Sequence, residues 1–320
     1  MTRGTGMSAA RRLVDGAYNW IMERVDRIVM PIVDASLHAY VRTAPYRLAA
    51  LVEEGISRGL EYFDAQPSLT FDAAAMVTLT VNTSFEPRLA RLHDKVRAYA
   101  RQWNDPHLRL LDASYDPDRP GSTDAAPFDV EVLDDVEKPL LPCLYADRLR
   151  LDETFLPTLE AIDDGGGYGT THKLLGGVIL KRFSTIPAGR LDALIDSAIP
   201  LIARAQRYAC ATDIFSERTM LLLWFGHAHL VRPSWIVRIL RAQAKDGGWR
   251  WRRSLWPQPS DQHPTALALA ALILFRETYF RSAAGASAAS PSTMGDCFPL
   301  AGQAGLAAGA DKGTPKRPSS

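Results

Sequence analysis

Cysteine is scarce in this chain: 320 residues hold 3, at Cys143, Cys210 and Cys297. An odd, sparse set argues against a disulfide framework and suits a reducing, cytoplasmic compartment. No Cys-x-x-Cys or His-Glu-x-x-His spacing occurs, and His227 and His229 are two apart, so on a helix they face different ways. Neither a metal nor an organic cofactor is expected. Charge of one sign is lacking too. With 37 Lys and Arg against 36 Asp and Glu, the net charge of +1 gives no global pull toward nucleic acid. Long apolar runs are missing, and a bilayer span needs about 20 such residues. Near the N-terminus Asp15, Glu23, Arg24, Asp26 and Arg27 interrupt the apolar residues, so neither a signal peptide nor a membrane span is expected.

What is present is helical periodicity, clearest from Arg232 to Phe280. Pro233 suits a first helical position. Trp235, Ile236, Ile239, Leu240 and Gln243 form one face, with Arg238, Arg241 and Lys245 mostly on the other. Gly247 and Gly248 can stop the helix. A second helix starts near His263-Pro264 and carries no charge from Thr265 to Phe275, which makes it an inner helix wrapped by others. The Arg232–Lys245 helix is then an outer one.

The same alternation extends along the chain. Residues 1–103 read as an N-terminal helical part: 10–43 with a kink expected at Met30-Pro31, then 46–64, an apolar helix from Thr70, and a basic amphipathic helix over 87–103. Residues 104–145 read as an Asp/Pro-rich linker. Over 146–282 outer and inner helices alternate: 151–164 (broken at Pro157), 170–183, 191–206, 214–227, and the pair already described. Residues 283–320, rich in Ala, Gly, Ser and Pro, read as a disordered tail. An internal echo runs through the alternating region. Asp164-Gly165-Gly166-Gly167-Tyr168 repeats as Asp246-Gly247-Gly248-Trp249, and the Thr171-His172 stretch repeats around His263, although Ala161 stands where Gln243 stands.

Leu240, Gln243, Gly247 and Trp249, followed by Thr265-Ala266, resemble the glutamine–tryptophan repeat of squalene–hopene cyclases and prenyltransferase β-subunits. The resemblance implies an all-α chain folded as an α/α toroid, with outer and inner helices alternating around a cavity. The glutamine amide is expected to satisfy unpaired N–H groups at a helix start, with the tryptophan covering it. The acidic Asp-x-Asp-Asp and Asp-Asp-x-x-Asp signatures of the terpene-processing members are absent. Asp213-Ile214-Phe215 with Glu217, the Trp235–Gly247 helix and His263-x-Thr265-Ala266-x-Ala268 are similar to a second, uncharacterised family, one that includes a secreted vertebrate chromosome-16 open reading frame product. That similarity implies shared architecture and no reaction.

In a toroid the starts of the inner helices open onto one mouth, and helix N-termini there favour an anion. His172 and His263, at matching places in the echo, can serve as acid/base groups, or simply bind backbone oxygens at helix starts. Glu217 joins them as a catalytic candidate, since an acid on an apolar inner helix is hard to explain by packing. Asp213, four residues earlier, can belong to the site or cap its helix. The segment Trp249-Arg250-Trp251-Arg252-Arg253, with Tyr168, supplies candidate ligand contacts. The alternative is that the tryptophans and Tyr168 pack on the rim while the arginines stay solvated. Two functions follow: an enzyme acting on a small, anionic molecule in the cavity, or a non-catalytic binding or scaffold protein that offers the rim to a protein partner.

Overall fold

The computed structural model describes residues 9–43, 45–84, 86–100, 106–111, 140–206, 213–251, 256 and 258–281. In chain order the α-helices are α1 (Ala9–Thr43), α2 (Pro45–Asp64), α3 (Phe71–Thr83), α4 (Leu89–Ala100), α5 (Leu141–Leu144), α6 (Ala146–Leu149), α7 (Leu156–Glu160), α8 (Tyr168–Phe183), α9 (Ala188–Gln206), α10 (Asp213–Trp224), α11 (Pro233–Ala242) and α12 (Gln262–Arg276). The chain is all-α, and among the described residues the β pairing is one isolated bridge between Trp249 and Asp261. No helix among them is long and apolar enough to cross a membrane. The expected 283–320 tail lies outside the described residues, as do Cys210 and Cys297.

Helices α8, α10, α12 and α3 form a row of inner helices, each packed on the next. In α12 every residue from Pro264 to Phe275 is buried, which is why that stretch tolerates no charge. Behind the row lie the amphipathic helices. α9 packs on α8 and α10, α11 and α2 pack on α12, and α4 packs on α3. Helix α1 lies against α11 and α2, tied by an ion pair of 2.9 Å from Arg232 to Asp34, and it continues through Pro31 as one helix.

The inner helices point the same way, because their starts meet. Tyr168, first in α8, bonds Asp213, first in α10. The Asp213 N–H donates to the Trp251 carbonyl at 3.3 Å, and Trp251 stacks on His263 at the start of α12. Gln262, first in α12, accepts from the N–H of Thr70, the N-cap of α3, at 2.8 Å and donates to Ser68 O at 2.9 Å.

Several boundaries differ from the sequence expectation. Helix α11 stops at Ala242 rather than Lys245, because Gln243 already turns into extended backbone. Pro157 opens α7 instead of breaking a longer helix. The stretch assigned to the linker is partly core: Leu141, Cys143, Leu144 and Tyr145 are buried in the same cluster as the inner helices, and Leu108 and Arg109 are buried beside them.

The glutamine–tryptophan unit is corrected in detail. The Gln243 amide donates to Gly55 O at 2.9 Å and Gly247 O at 2.8 Å, so it satisfies carbonyls rather than helix-start N–H groups. Gly247 sits at φ +89 with its Cα against the Arg58 carbonyl, a backbone region and an approach that only glycine accepts. Trp249, 3 % exposed, donates its indole N–H to Ile239 O at 2.7 Å, and a Cβ at Gly59 would stand 3.2 Å from its ring. Gln206, at the end of α9, repeats the theme: its amide donates to Phe215 O and Thr219 Oγ1, both at 2.7 Å.

Candidate functional site

The starts of α8, α10 and α12 bring together Tyr168, Thr171, His172, Asp213, Glu217 and His263. The start of α8 is set by Asp164, whose carboxylate accepts from the N–H groups of Gly167 and Gly169 at 2.7 Å and Thr170 at 3.1 Å. Asp164 thus satisfies the first N–H groups of α8 from three residues ahead of the N-cap, Gly167. These bonds hold the Asp164 carboxyl below its ordinary pKa, with burial opposing. At α12 the cap is Asp261, accepting from the His263 N–H at 3.0 Å. Threonines tie both loops to their helices: Gly166 N–H donates to Thr170 Oγ1 at 3.2 Å and Trp249 N–H to Thr265 Oγ1 at 2.8 Å.

Those threonine bonds correct the expected register of the echo. Thr170 matches Thr265, so His263 corresponds to Tyr168, and His172 lies a turn deeper in α8. The two histidines are therefore not equivalent repeat positions, yet both lie within electrostatic reach of Glu217.

Glu217 is 4 % exposed. Burial raises its pKa, and Asp213 adds to the rise. His172, His263 and a hydrogen bond from the Thr171 hydroxyl oppose it. Asp213, also buried, is raised by the same desolvation, offset by the Tyr168 hydroxyl and by His263. Tyr168 is itself pushed up by burial and by the Asp213 charge. The Asp213 side chain is thus engaged by Tyr168, beyond any capping role, and Tyr168 is a hydrogen-bond donor rather than a packing residue. Arg218, the next residue, donates Nε to Gly166 O at 2.6 Å; burial lowers its pKa, while Glu217 raises it.

The histidines are held differently. His172 Nδ1 lies 2.7 Å from Tyr168 O, which requires Nδ1 to carry the proton and leaves Nε2 as the acceptor of the neutral ring. His263 stacks on Trp251, centroids 4.7 Å apart and planes at 11°, with Nδ1 3.9 Å from Asp72 Oδ2 and without a hydrogen bond. Asp72, in the first turn of α3, is a neighbour that sequence reasoning missed, because it lies 191 residues away in sequence.

Beside the acids lies a small cleft, walled by Asp213, Ser216, Trp249, Arg250 and Pro264 among others, with a cavity volume of about 10 Å³, room for a single water. That is below the roughly 300–1,000 Å³ usual for ligand pockets. Arg250 lines it, with a buried Nε that has no hydrogen-bond partner. Trp249 is a wall of this cleft and part of the core, whereas Trp251 is 44 % exposed. Arg252 and Arg253 lie outside the described residues. Among the described residues no group of three or more His, Cys, Asp or Glu side chains is placed to hold a metal ion. His227, at the N-cap of a short 3-10 turn, and His229, inside it, are expected to diverge, yet their ring centroids lie 5.8 Å apart.

No known protein family, curated protein or solved structure matches the chain.

Proposed function

We propose that the protein is an enzyme acting on a small anionic molecule at the shared mouth of its inner helices, by proton transfer through Glu217, His172 and His263. The observation that carries this reading is a buried glutamate within electrostatic reach of two histidines at the meeting point of several helix starts. Burial favours the neutral carboxylic acid at Glu217, so the residue can donate a proton and does not repel an incoming anion. Burial raises the pKa of the second acid, Asp213, as well, and the Tyr168 hydroxyl that donates to it pulls the other way. The helix N-termini and Arg250 supply the attraction for negative charge. His172, with Nδ1 tied to a carbonyl, offers Nε2 as the base. His263 sits under the Trp251 ring, where its stacking can change as ligand enters. The small cleft implies that this stack moves aside on binding.

The row of inner helices backed by outer ones supports an α/α toroid as the architecture, and the sparse cysteines support a cytoplasmic setting. The second reading, a non-catalytic scaffold using the rim, draws on the small cleft and on Trp251 and Trp256, exposed by 44 % and 38 % at that rim.

The test is mass spectrometry of small molecules released when the purified protein is denatured, comparing wild type with Glu217→Gln, His172→Ala and His263→Ala. An anionic compound carried by wild type and depleted at least tenfold in each folded variant supports the enzyme reading. Release of the same compounds by all four proteins, or of none by any, removes it and leaves the scaffold reading ahead.

A further inference from the structure

Helix α1 is turned inside out. Among its described side chains the buried ones are two acids, Asp15 and Asp34, at 0 % and 9 % exposure. Most of its described apolar residues face water: Ile28 is 74 % exposed, Ile32 68 % and Ile21 51 %, with Leu13, Val14, Trp20, Val25 and Val29 also exposed. The orientation is fixed from the body side, where Asp34 accepts from Arg232 Nη1 at 2.9 Å at the N-cap of α11. Rolling the helix to bury its isoleucines would break that ion pair. An amphipathic helix held with its apolar face outward has that face free for another surface.

The spacing of that face says what fits it. Val14, Tyr18, Ile21, Val25, Ile28, Ile32 and Ala35 follow each other by four and three residues in strict alternation. This is the 3.5-residue period of a coiled-coil seam, whose natural complement is another helix of the same pattern. No charged residue interrupts the seam, so nothing in it opposes self-pairing. The exposed side chains of the seam leave roughly 500–600 Å² per copy, at the top of the 300–600 Å² of an ordinary largest surface patch. Two copies together would bury about 1,100 Å², just above the roughly 1,000 Å² that a specific interface needs. A lipid surface fits less well, because interfacial helices are rich in Lys and Arg on the polar face, whereas α1 nearly balances its five arginines with four acids, Asp15, Glu23, Asp26 and Asp34.

We infer that the protein is a homodimer joined through the outward apolar face of α1, paired helix to helix with its copy. The inference is independent of the proposed chemistry, since α1 contributes no residue to the site. Sedimentation equilibrium of the full chain at micromolar concentration tests it. The expected result is twice the 35.2 kDa chain mass for wild type. The Ile21→Asp/Ile28→Asp double variant, with unchanged far-UV circular dichroism, should sediment as a single chain. Ile28→Lys, which alters one exposed side chain, should weaken dimerisation at least tenfold even if the double variant fails to fold. A monomeric wild type, a dimer untouched by either variant, or a monomer that floats with phosphatidylserine vesicles through α1 would each overturn the inference.

Discussion

At the residue scale two side chains carry opposite lessons about buried polarity. Gln243 donates its amide to a carbonyl of α2 and to one of its own loop, so removing it takes a donor from both. Gln243→Ala should cost roughly 1–3 kcal/mol in urea unfolding; no change would mean that water replaces the amide freely. Glu217 works the other way. Its folded pKa is raised from 4.5 by burial, so its contribution to stability is fully present below about pH 4.5 and is lost as pH rises through the folded value. Glu217→Gln should therefore raise Tm at pH 8, by about 2–4 °C per kcal/mol recovered in a chain this size. The gain should vanish toward pH 4. A glutamine variant less stable than wild type at pH 8 would mean that the carboxylate is stabilised in the fold.

At the element scale the C-terminal end of α12 is fixed by charge, in contrast to its apolar length. Arg276 Nη1 bonds Glu86 at 2.6 Å and Glu53 at 2.9 Å, and Arg88 bonds Glu86 from the other side at 2.7 Å. Burial would raise the Glu86 carboxyl, but hydrogen bonds from Arg88 and Arg276 win and lower it to about 2. The sign is opposite to that of Glu217. Glu86 contributes stability above about pH 4.5 that is lost as pH falls toward 2. Glu86→Gln should cost roughly 1–3 kcal/mol at pH 7 and flatten the acid side of the stability curve. Equal pH dependence in variant and wild type would contradict this account of how α12 is anchored.

The elements also show how much a sequence reveals. The alternation of amphipathic and apolar helices was legible because burial on one face or all round writes itself into local spacing. Pro233 and the end of α2 were legible as chain punctuation. The partners of Gln243 were not, since Gly55 lies 188 residues away and reads as an unremarkable helical glycine. The start of α8 was placed late because Asp164, which binds its first N–H groups, stands before a run of glycines and reads as a turn residue. That one displacement put His172 at a false repeat position, although its nearness to Glu217 was expected from the shared mouth. The linker was misjudged at its end because Leu141 to Tyr145 is too short to show any period. The outward face of α1 was hidden for another reason: its periodicity marks it as amphipathic, and only the packed structure shows which side faces the body.

For the whole molecule the account comes down to geometry: parallel inner helices bring their starts together, and a buried acid is kept there within electrostatic reach of two histidines. The direct test is a carbon-13 NMR titration of the Glu217 side-chain carboxyl, in wild type and in the His172→Ala/His263→Ala double variant. The account predicts a midpoint above the ordinary 4.5 in wild type and a further rise in the double variant, because both histidines pull the value down against burial. A midpoint at or below 4.5, or one that the histidine substitutions leave unmoved, would contradict it.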